Sequence, residues 1–323
     1  MRFSLLSGLL FVASCVRAQT TPPISESDVF RIEKILSSDD MKGRQIFTTG
    51  IEKAADFITK EFREAGLKPL PGQKDYRQTF EMAGTESPDV VITPDGKTKM
   101  LTNLVGMIPG ISKPDEYVIF SAHYDHLGTG KPDAKGDSIF NGANDDASGI
   151  TAVILLAKYF NQIHNNQRTL IFVAFTAEEI GDFGSAYFSK KLDPEKVVAM
   201  LNIEMIGTKS KWGENSAYIT GYEKTDLGSI LEKNLKKTQF RFYPDPYPEE
   251  QLFLRSDNAS LAEMGVPAHT ISTSKMDSEK YYHTRGDTIE TLDLENMTEI
   301  IRAIGLSAGS IIAGTDTPRR LGL

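Results

Sequence analysis

Histidine and acidic side chains recur at the ends of predicted β-strands in this sequence. The apolar run 117–120 leads into SAHYDHLG, the run 169–176 into AEEIGDFGS, and the run 197–203 into EMIG. In an open α/β sheet, ligands bind just beyond the carboxyl ends of the strands. Two aspartates, Asp145 and Asp146, lie just before the helix pattern at 148–160. With them, the side chains at these strand ends form one set: His123, Asp125, Asp145, Asp146, Glu178, Glu179 and Glu204. Imidazole and carboxylate ligands without thiolate, completed by water, are typical of hydrolytic zinc sites.

The residues alone leave the roles within this group open. A histidine that binds a metal needs a partner on its other ring nitrogen, and Asp125, two residues after His123, could provide it. Glu178 and Glu179 directly follow an eight-residue apolar strand, where two charges are unfavourable without a counter-charge. One of them could bind the metal while the other accepts a proton from the bound water. Glu204 also ends an apolar strand, and burying a lone carboxylate is costly.

Each motif also has a simpler explanation. The sequence NGANDDASGI, residues 141–150, fits a surface turn or a calcium loop as well as a catalytic metal site. An isolated His-x-Asp is most often a surface or core histidine with an incidental neighbour. A Glu-Glu pair most often lies on a solvated helix face. Four acidic strand ends in consecutive order favour the metal site over these explanations.

The elements that must position these residues alternate between apolar strands and helices. Apolar spacing predicts helices at 27–37, 50–66, 148–160 and 293–313, and strands at 77–82, 89–93, 117–120, 169–176, 197–203, 217–220 and 268–272. Continuously apolar strands that alternate with helices indicate an α/β fold with a mostly parallel central sheet and helices on both faces. The sequence contains no repeat, low-complexity tract or linker, and it therefore predicts a single domain over residues 19–323.

The first 18 residues, MRFSLLSGLLFVASCVRA, have the pattern of a secretion signal. Arg2 precedes the apolar run 3–12, and the sequence VRA before Gln19 fits a signal-peptidase site. The run is too short to span a bilayer, so we expect export to the periplasm or secretion, with cleavage near Ala18. The segment VASC also resembles a lipobox, which would make Cys15 a lipid anchor. This alternative is less favoured.

The amino-acid composition restricts the classes of molecule that the protein is expected to bind. The net charge of −8 and the scattered lysines and arginines argue against binding of nucleic acid or anionic lipid. Cys15 is the only cysteine, so a chain cleaved after Ala18 has no disulfide, no cysteine nucleophile and no thiolate metal site. With 40% apolar and 25% charged residues, the chain can bury a sizeable core.

Five motifs, taken in order, carry a resemblance to a known family. They are SAHYDHLG, NGANDDASG, TAEEIGDFGS, NIEMIG and YYHTRGDT. Together they resemble the double-zinc aminopeptidase family of exopeptidases, from about Leu36 to the C-terminal helix. The chain is similar to the compact bacterial members, because no inserted domain interrupts the catalytic one. The same family contains carboxypeptidases, glutaminyl cyclases and the catalytically silent transferrin-receptor ectodomain.

The resemblance implies a centre of two zinc ions per chain. Its ligands would be His123 and Glu204 on the first zinc, Glu179 and His283 on the second, and Asp145 as the bridge. Glu204 stands where aspartate is more common in the family, so its carboxylate reaches one methylene further. Arg255-Ser-Asp-Asn258 replaces the commoner Ser-Asp-His, so any role of that histidine is absent.

The resemblance also implies which residues act on the substrate. Glu178 would be the general base, Tyr282 would stabilise the oxyanion, and Asp125 would orient His123. Asp146 would lie behind the metal ligands or in solvent. The remaining histidines are expected to be structural or surface groups: His126, His164 and His269.

The function that this resemblance implies is hydrolysis of peptide bonds, with release of N-terminal residues from a peptide substrate. Three alternatives share the fold. They are a glutaminyl cyclase, which is an acyltransferase that resembles a one-zinc version, a carboxypeptidase, and a non-catalytic binding ectodomain. The sequence predicts neither the side-chain preference nor the oligomeric state.

Overall fold

The computed structural model describes residues 24–82 and 99–322. The predicted signal peptide 1–18, Cys15 and the predicted strand 89–93 therefore lie outside the described residues. Of the helices that are described, none combines the length and the hydropathy that crossing a bilayer requires.

Helices and strands alternate along the described part of the chain. The helices are α1 (Glu26–Leu36), α2 (Thr49–Glu64), α3 (Ser148–Ile163), α4 (Phe183–Ser189), α5 (Leu227–Leu235), α6 (Ala259–Ala262), α7 (Leu294–Ser307) and α8 (Gly309–Ile312). The strands are β1 (Lys68–Pro69), β2 (Arg77–Glu81), β3 (Met100–Ile108), β4 (Lys113–His123), β5 (Gly128–Thr129), β6 (Ile139–Phe140), β7 (Arg168–Phe175), β8 (Val197–Ile203), β9 (Ser216–Ile219), β10 (Arg241–Pro244) and β11 (Ala268–Ser272).

One mixed sheet organises the fold. Its strand order is β1–β3–β7–β4–β8–β11–β9–β10, and β2 also pairs with β3. The central strands β7, β4, β8 and β11 are mutually parallel. At one edge β1, β2 and β3 are antiparallel additions, and at the other β9 runs antiparallel to β11. The predicted α/β class with a mostly parallel centre is confirmed, whereas the antiparallel edges are a finding of the structure.

Alternate side chains of the central strands enter two apolar layers. Phe120 on β4 and Phe172 on β7 face the layer that contains α1, α2, α3, α5 and α7. Ile119 and Ile171, their neighbours in the chain, pack on the opposite face with Phe188 of α4 and with α6. Because both faces are covered, these strands are apolar throughout instead of alternating with polar residues.

The helix ends follow local signals. The Thr48 side chain accepts the N–H of Gly50 at the start of α2, and Gly66, with φ of 76°, follows its end. The predicted helix 293–313 is divided at Ala308 into α7 and α8, and α3 extends to Ile163, beyond its predicted end. The predicted helices are therefore present, with ends that differ by a few residues.

The parallel centre brings three strand ends to one edge of the sheet. His123 is the last residue of β4, Glu178 follows β7 after two residues, and Glu204 directly follows β8. Because β4 pairs with both β7 and β8, the segment after β4 lies between the other two. The sheet thus places three of the motifs side by side.

Away from this edge, Glu61 on α2 links three helices. Its buried carboxylate accepts hydrogen bonds from Arg31 of α1 at 2.7 Å and from Lys158 of α3 at 2.5 Å. Burial alone would raise the pKa of Glu61, but the hydrogen bonds from Arg31 and Lys158 outweigh it and lower that pKa.

We expect Glu61→Gln to lower the free energy of unfolding at pH 7 by about 1–3 kcal/mol, because two charged hydrogen bonds lose their anion. The folded-state pKa is depressed, so this stabilisation is complete above the unfolded value of about 4.3 and is lost as pH falls through the folded value. Urea unfolding of both proteins at pH 7 and near pH 3 measures the difference. An equal difference at both pH values would contradict the role of the ionised carboxylate.

Candidate metal centre

Asp145 lies between two histidines. Its Oδ1 atom is 3.2 Å from Nε2 of His123, and its Oδ2 atom is 3.2 Å from Nε2 of His283. The carboxylate therefore presents one oxygen to each imidazole, although the two histidines are distant in the sequence. This is the arrangement in which one carboxylate can be shared between two neighbouring cations.

Each histidine also contacts one glutamate. Nε2 of His123 is 3.3 Å from Oε1 of Glu204, and Nε2 of His283 is 3.1 Å from Oε2 of Glu179. We call His123, Asp145 and Glu204 the first cluster, and Asp145, Glu179 and His283 the second cluster. The structure thus brings together all five residues that the sequence suggested as ligands.

The loop that carries Asp145 is fixed by backbone hydrogen bonds. The carboxylate of Asp287 accepts the N–H groups of Asn144 at 2.8 Å and of Asp145 at 3.0 Å. At the start of α3, a Cβ on Gly149 would lie 2.4 Å from Asp146 Oδ2 and 2.3 Å from the carbonyl oxygen of Ile203. Only glycine lets the helix approach this closely. Asp287 was not predicted, although it belongs to the YYHTRGDT motif.

Asp146 is buried, so the predicted alternative of a solvent-exposed side chain is wrong. Its Oδ1 atom accepts the N–H groups of Gly149 and Met205, each at 3.0 Å. Within the described residues its Oδ2 atom has no hydrogen-bond partner, and Asp146 forms a potential metal-binding group with His123 and Glu204. Asp146 thus lies next to the first cluster and braces the turn after β8.

Asp125 contacts His123 through its backbone. Nδ1 of His123 is 3.2 Å from the carbonyl oxygen of Asp125, whereas the nearest carboxylate oxygen is 3.9 Å away. The carboxylate instead accepts the N–H groups of Glu178 at 3.1 Å and Glu179 at 3.4 Å. The expected orientation of His123 therefore comes from the main chain, because the side chain is occupied in holding the turn after β7.

His126 lies at the site, although the sequence predicts that it is a structural or surface group. It is buried, and its Nδ1 atom is 2.7 Å from Oε1 of Glu179 and 3.7 Å from Oδ2 of Asp145. In the part of the chain that the structure describes, its Nε2 atom has no hydrogen-bond partner. Its position in the turn that carries His123 was the available signal. By contrast, His164 is exposed, and His269 is buried within β11 between Thr225 and Thr220, as a structural group.

The turns next to the clusters have unusual backbone conformations. Ala177, Met205 and His283 have φ values of 60°, 49° and 54°, which L-residues rarely adopt. Each lies at a site residue or next to one. Such conformations persist where surrounding contacts fix the chain, and they concentrate at functional sites.

The charges in the two clusters are strongly coupled. Burial by itself raises the pKa of Asp145, but the neighbouring histidines, first His126 and then His123 and His283, hold it well below its usual range. Burial, Glu204 and Asp257 raise the pKa of Glu178, with His123 opposing them. Within the described residues, the ion pairs of Asp145, Glu178, Glu179 and Glu204 are with histidines only.

These residues fit divalent metal ions. The donor set is imidazole nitrogen and carboxylate oxygen, which zinc prefers when thiolate is absent. The excess of carboxylates would be stabilised by bound cations, which would also favour their ionised forms.

An open cleft adjoins the clusters. Its volume is about 30 Å³, and its lining includes Glu178, Glu204, Leu252, Met276, Tyr282 and His283. Glu178 Oε2 is 3.9 Å from Nε2 of His123, at the boundary between cluster and cleft. The ring of Tyr282 stacks on His283 with 3.9 Å between centroids. Burial raises the pKa of Tyr282, so its hydroxyl remains a donor at neutral pH.

The two departures from the expected pattern have different consequences. Glu204 Oε2 accepts a hydrogen bond from the hydroxyl of Ser256, in the segment before α6, which holds the longer side chain in place. Asn258 donates to the carbonyl oxygens of Phe253 and Ala268 and accepts from Thr270. Asn258 is therefore a structural residue that orders the segment around α6.

Comparison with known proteins places the chain among peptidases. Residues 103–307, more than half of the chain, match the family model described as peptidase family M28. A probable leucine aminopeptidase from Trichophyton verrucosum is 32% identical over 207 residues, which cover 61% of this chain and 54% of that protein. The chain thus spans about half the length of the curated relatives it matches.

Solved structures share the fold at low sequence identity. A zinc aminopeptidase from Bacillus subtilis has a TM-score of 0.69 at 15% identity, over 90% of this chain and 96% of that chain. A glutaminyl cyclase from Bacteroides thetaiotaomicron has a TM-score of 0.65 at 17% identity, over 92% of this chain and 100% of that chain. At these identities the similarity concerns the fold alone.

We expect Asp145→Ala to weaken divalent-metal binding by more than about 100-fold, because both clusters lose their shared carboxylate. Asp146→Asn serves as the matched control, since its amide oxygen can still accept the N–H groups of Gly149 and Met205. Isothermal titration with zinc measures both variants. An equal loss of affinity in the two variants would contradict the distinction between them.

Proposed function

The chain belongs to peptidase family M28, and we propose that it is a zinc-dependent exopeptidase that releases N-terminal residues from peptides. The observation that carries this proposal is the sharing of Asp145 between two histidines, with Glu178 at the edge of an open cleft. The leucine aminopeptidase relative supports the choice of substrate class.

Two zinc ions per chain are proposed, one for each cluster. His123, Asp145 and Glu204 would hold the first, and Asp145, Glu179 and His283 would hold the second. His126, through Glu179, would support the second cluster. When bound, zinc polarises a peptide carbonyl and lowers the pKa of water towards neutrality.

Glu178 is the proposed general base. It lines the cleft, while its neighbour Glu179 contacts His126 and His283, so adjacent residues have different surroundings. An ionised Glu178 carboxylate can accept the proton of the attacking water. Glu178 then delivers this proton to the departing amine. Asp125 keeps the base in place through the N–H of Glu178.

Tyr282 is the proposed oxyanion donor. Its hydroxyl stays protonated at neutral pH and can donate a hydrogen bond to the oxygen on which negative charge develops. The stacking of its ring on His283 ties the position of this donor to that of the second cluster.

The charge of the cleft supports a substrate with a free amino terminus. Glu178 and Glu204 are both part of its lining and would attract an ammonium group. Arg255 also lines the cleft and donates to the carbonyl oxygen of Glu250 at 3.3 Å. A carboxypeptidase would need such a cation to bind a free carboxylate, so the assay below includes both classes of peptide.

We also propose that the chain is exported, on the basis of the sequence pattern at 1–18, and that residues 19–323 form one peptidase domain. Cleavage near Ala18 remains the preferred form of processing over lipid attachment at Cys15.

The assay that tests the function uses the purified chain with measured zinc content. We expect close to two zinc ions per chain and chelator-sensitive release of N-terminal residues from free-amine peptides. N-blocked peptides should not be cleaved. Cyclisation of N-terminal glutamine with one zinc would instead indicate a glutaminyl cyclase, and cleavage only of blocked peptides with free carboxylates would indicate a carboxypeptidase.

We expect Glu178→Gln to lower kcat by about 10²- to 10⁴-fold with little change in zinc content, because the amide cannot accept the proton. Glu195→Gln is the matched control, since its carboxylate is mostly exposed and lies outside the site. Initial rates and metal analysis of the three proteins provide the measurement. Unchanged kcat in Glu178→Gln would refute its role as the base.

A further inference from the structure

Arg44 is a buried arginine whose side-chain partners, among the described residues, are all backbone carbonyl groups. Its side chain is 1% exposed, and a guanidinium has five N–H donors. The five acceptors are the carbonyl oxygens of Tyr124 (3.0 Å), Leu36 (2.8 Å), Asn141 (2.6 Å), Gly142 (2.8 Å) and Asp145 (3.3 Å). Every donor is therefore used, and no hydrogen bond remains for a substrate.

Four of these carbonyl groups belong to the two loops that carry site residues. Tyr124 lies between His123 and Asp125, while the other three are in the loop 141–145 that ends at Asp145. The backbone carbonyl of Arg44 also accepts the N–H of His126 at 3.3 Å. Arg44 thus connects the loop after β4 to the loop before α3, and each loop supplies a proposed ligand.

The chain reaches this position through a bent backbone. Lys42, Gly43 and Arg44 all have positive φ values, of 48°, 65° and 48°. A Cβ on Gly43 would lie 2.3 Å from the carbonyl oxygen of Gly128, so the segment is held close to the loop after β4. Two non-glycine residues remain in this conformation, which implies that surrounding contacts fix it.

The charge of Arg44 matches its surroundings. Burial lowers the pKa of its guanidinium, and the neighbouring carboxylates of Glu33, Asp145 and Asp287 oppose that effect. Within the described residues this cation forms no ion pair with a carboxylate of the acidic loop beside it. Both side-chain oxygens of Asp145 are directed at histidines.

We propose that Arg44 is a positioning residue that sets the distance between His123 and Asp145, and through it the affinity of the metal centre. This inference rests on the proposed function, because it assumes that these two residues are ligands. Arg44 lies before residues 103–307, which match the family model. The N-terminal segment therefore also contributes to the proposed metal centre.

Arg168 provides a matched control for a purely structural role. It is equally buried, at 1% exposed, and it binds Glu116, Thr317 and the carbonyl oxygens of Ile311 and Asp316. It is the first residue of β7, so it lies at the end of the strand opposite the clusters. Both arginines support the fold, but only Arg44 binds the ligand-bearing loops.

The experiment compares Arg44→Lys with Arg168→Lys in the full chain. Lysine has three donors and no planar fork. At least two of the five carbonyl groups around Arg44, and at least one of the four acceptors around Arg168, therefore lose their partner. We expect Arg44→Lys to weaken binding of cobalt(II), used as a spectroscopic probe for zinc, by about 10- to 100-fold. Its visible absorption spectrum should also change. Arg168→Lys should lose comparable thermal stability while retaining the affinity and spectrum of the unmodified chain.

Two outcomes would overturn the proposal. One is an Arg44→Lys variant with unchanged cobalt affinity and spectrum. The other is failure of Arg44→Lys to fold under conditions in which Arg168→Lys folds, which would assign Arg44 to global stability. Failure of the unmodified chain to bind cobalt or zinc would instead refute the proposed function, so the two failures are distinguishable.

Discussion

Carboxylates that are buried beside one another need N–H donors and positive charge around them, and the site is built around this constraint. Asp125, Asp146 and Asp287 each accept two backbone N–H groups. Asp145 lies between two imidazoles, and Arg44 binds the carbonyl groups of the same loops. The sheet supplies the platform, but polar side chains that bind the main chain determine the geometry of the clusters.

The central fold could be predicted because it depends on strands that are apolar throughout. Such strands must be buried on both faces, and the polar residues at their ends mark one edge of the sheet. The antiparallel pairing of β9 with β11 could not be predicted in this way. An apolar run of four or five residues shows that a strand is buried, but it does not show which neighbour it pairs with or in which direction.

Candidate site residues at or just beyond the ends of central strands, such as His123, Glu179 and Glu204, could be selected from the sequence. His126 was missed because its role depends on how the chain turns after β4, and this turn is fixed by a contact with the distant Arg44. His283 was separated from His269 by resemblance alone. In the structure the difference is clear, since His269 hydrogen-bonds within the sheet region while His283 meets the carboxylates. The sequence left two positions open for Asp146, behind the metal ligands or in solvent. Adjacent residues in a loop have no periodic pattern that would show which of them is buried.

The contacts that assemble the clusters join distant parts of the chain. The N–H of Asp145 binds a carboxylate 142 positions away, Arg44 binds the carbonyl of Asp145 across 101 positions, and His123 meets Glu204 across 81. Contacts of such long range form only after the intervening segments are ordered, and they slow folding. The proposed metal ions would therefore meet a complete set of ligands only after these segments are ordered, unlike the ions of small zinc domains, whose ligands are close in sequence. Loading of the centre would then follow formation of the apolar core.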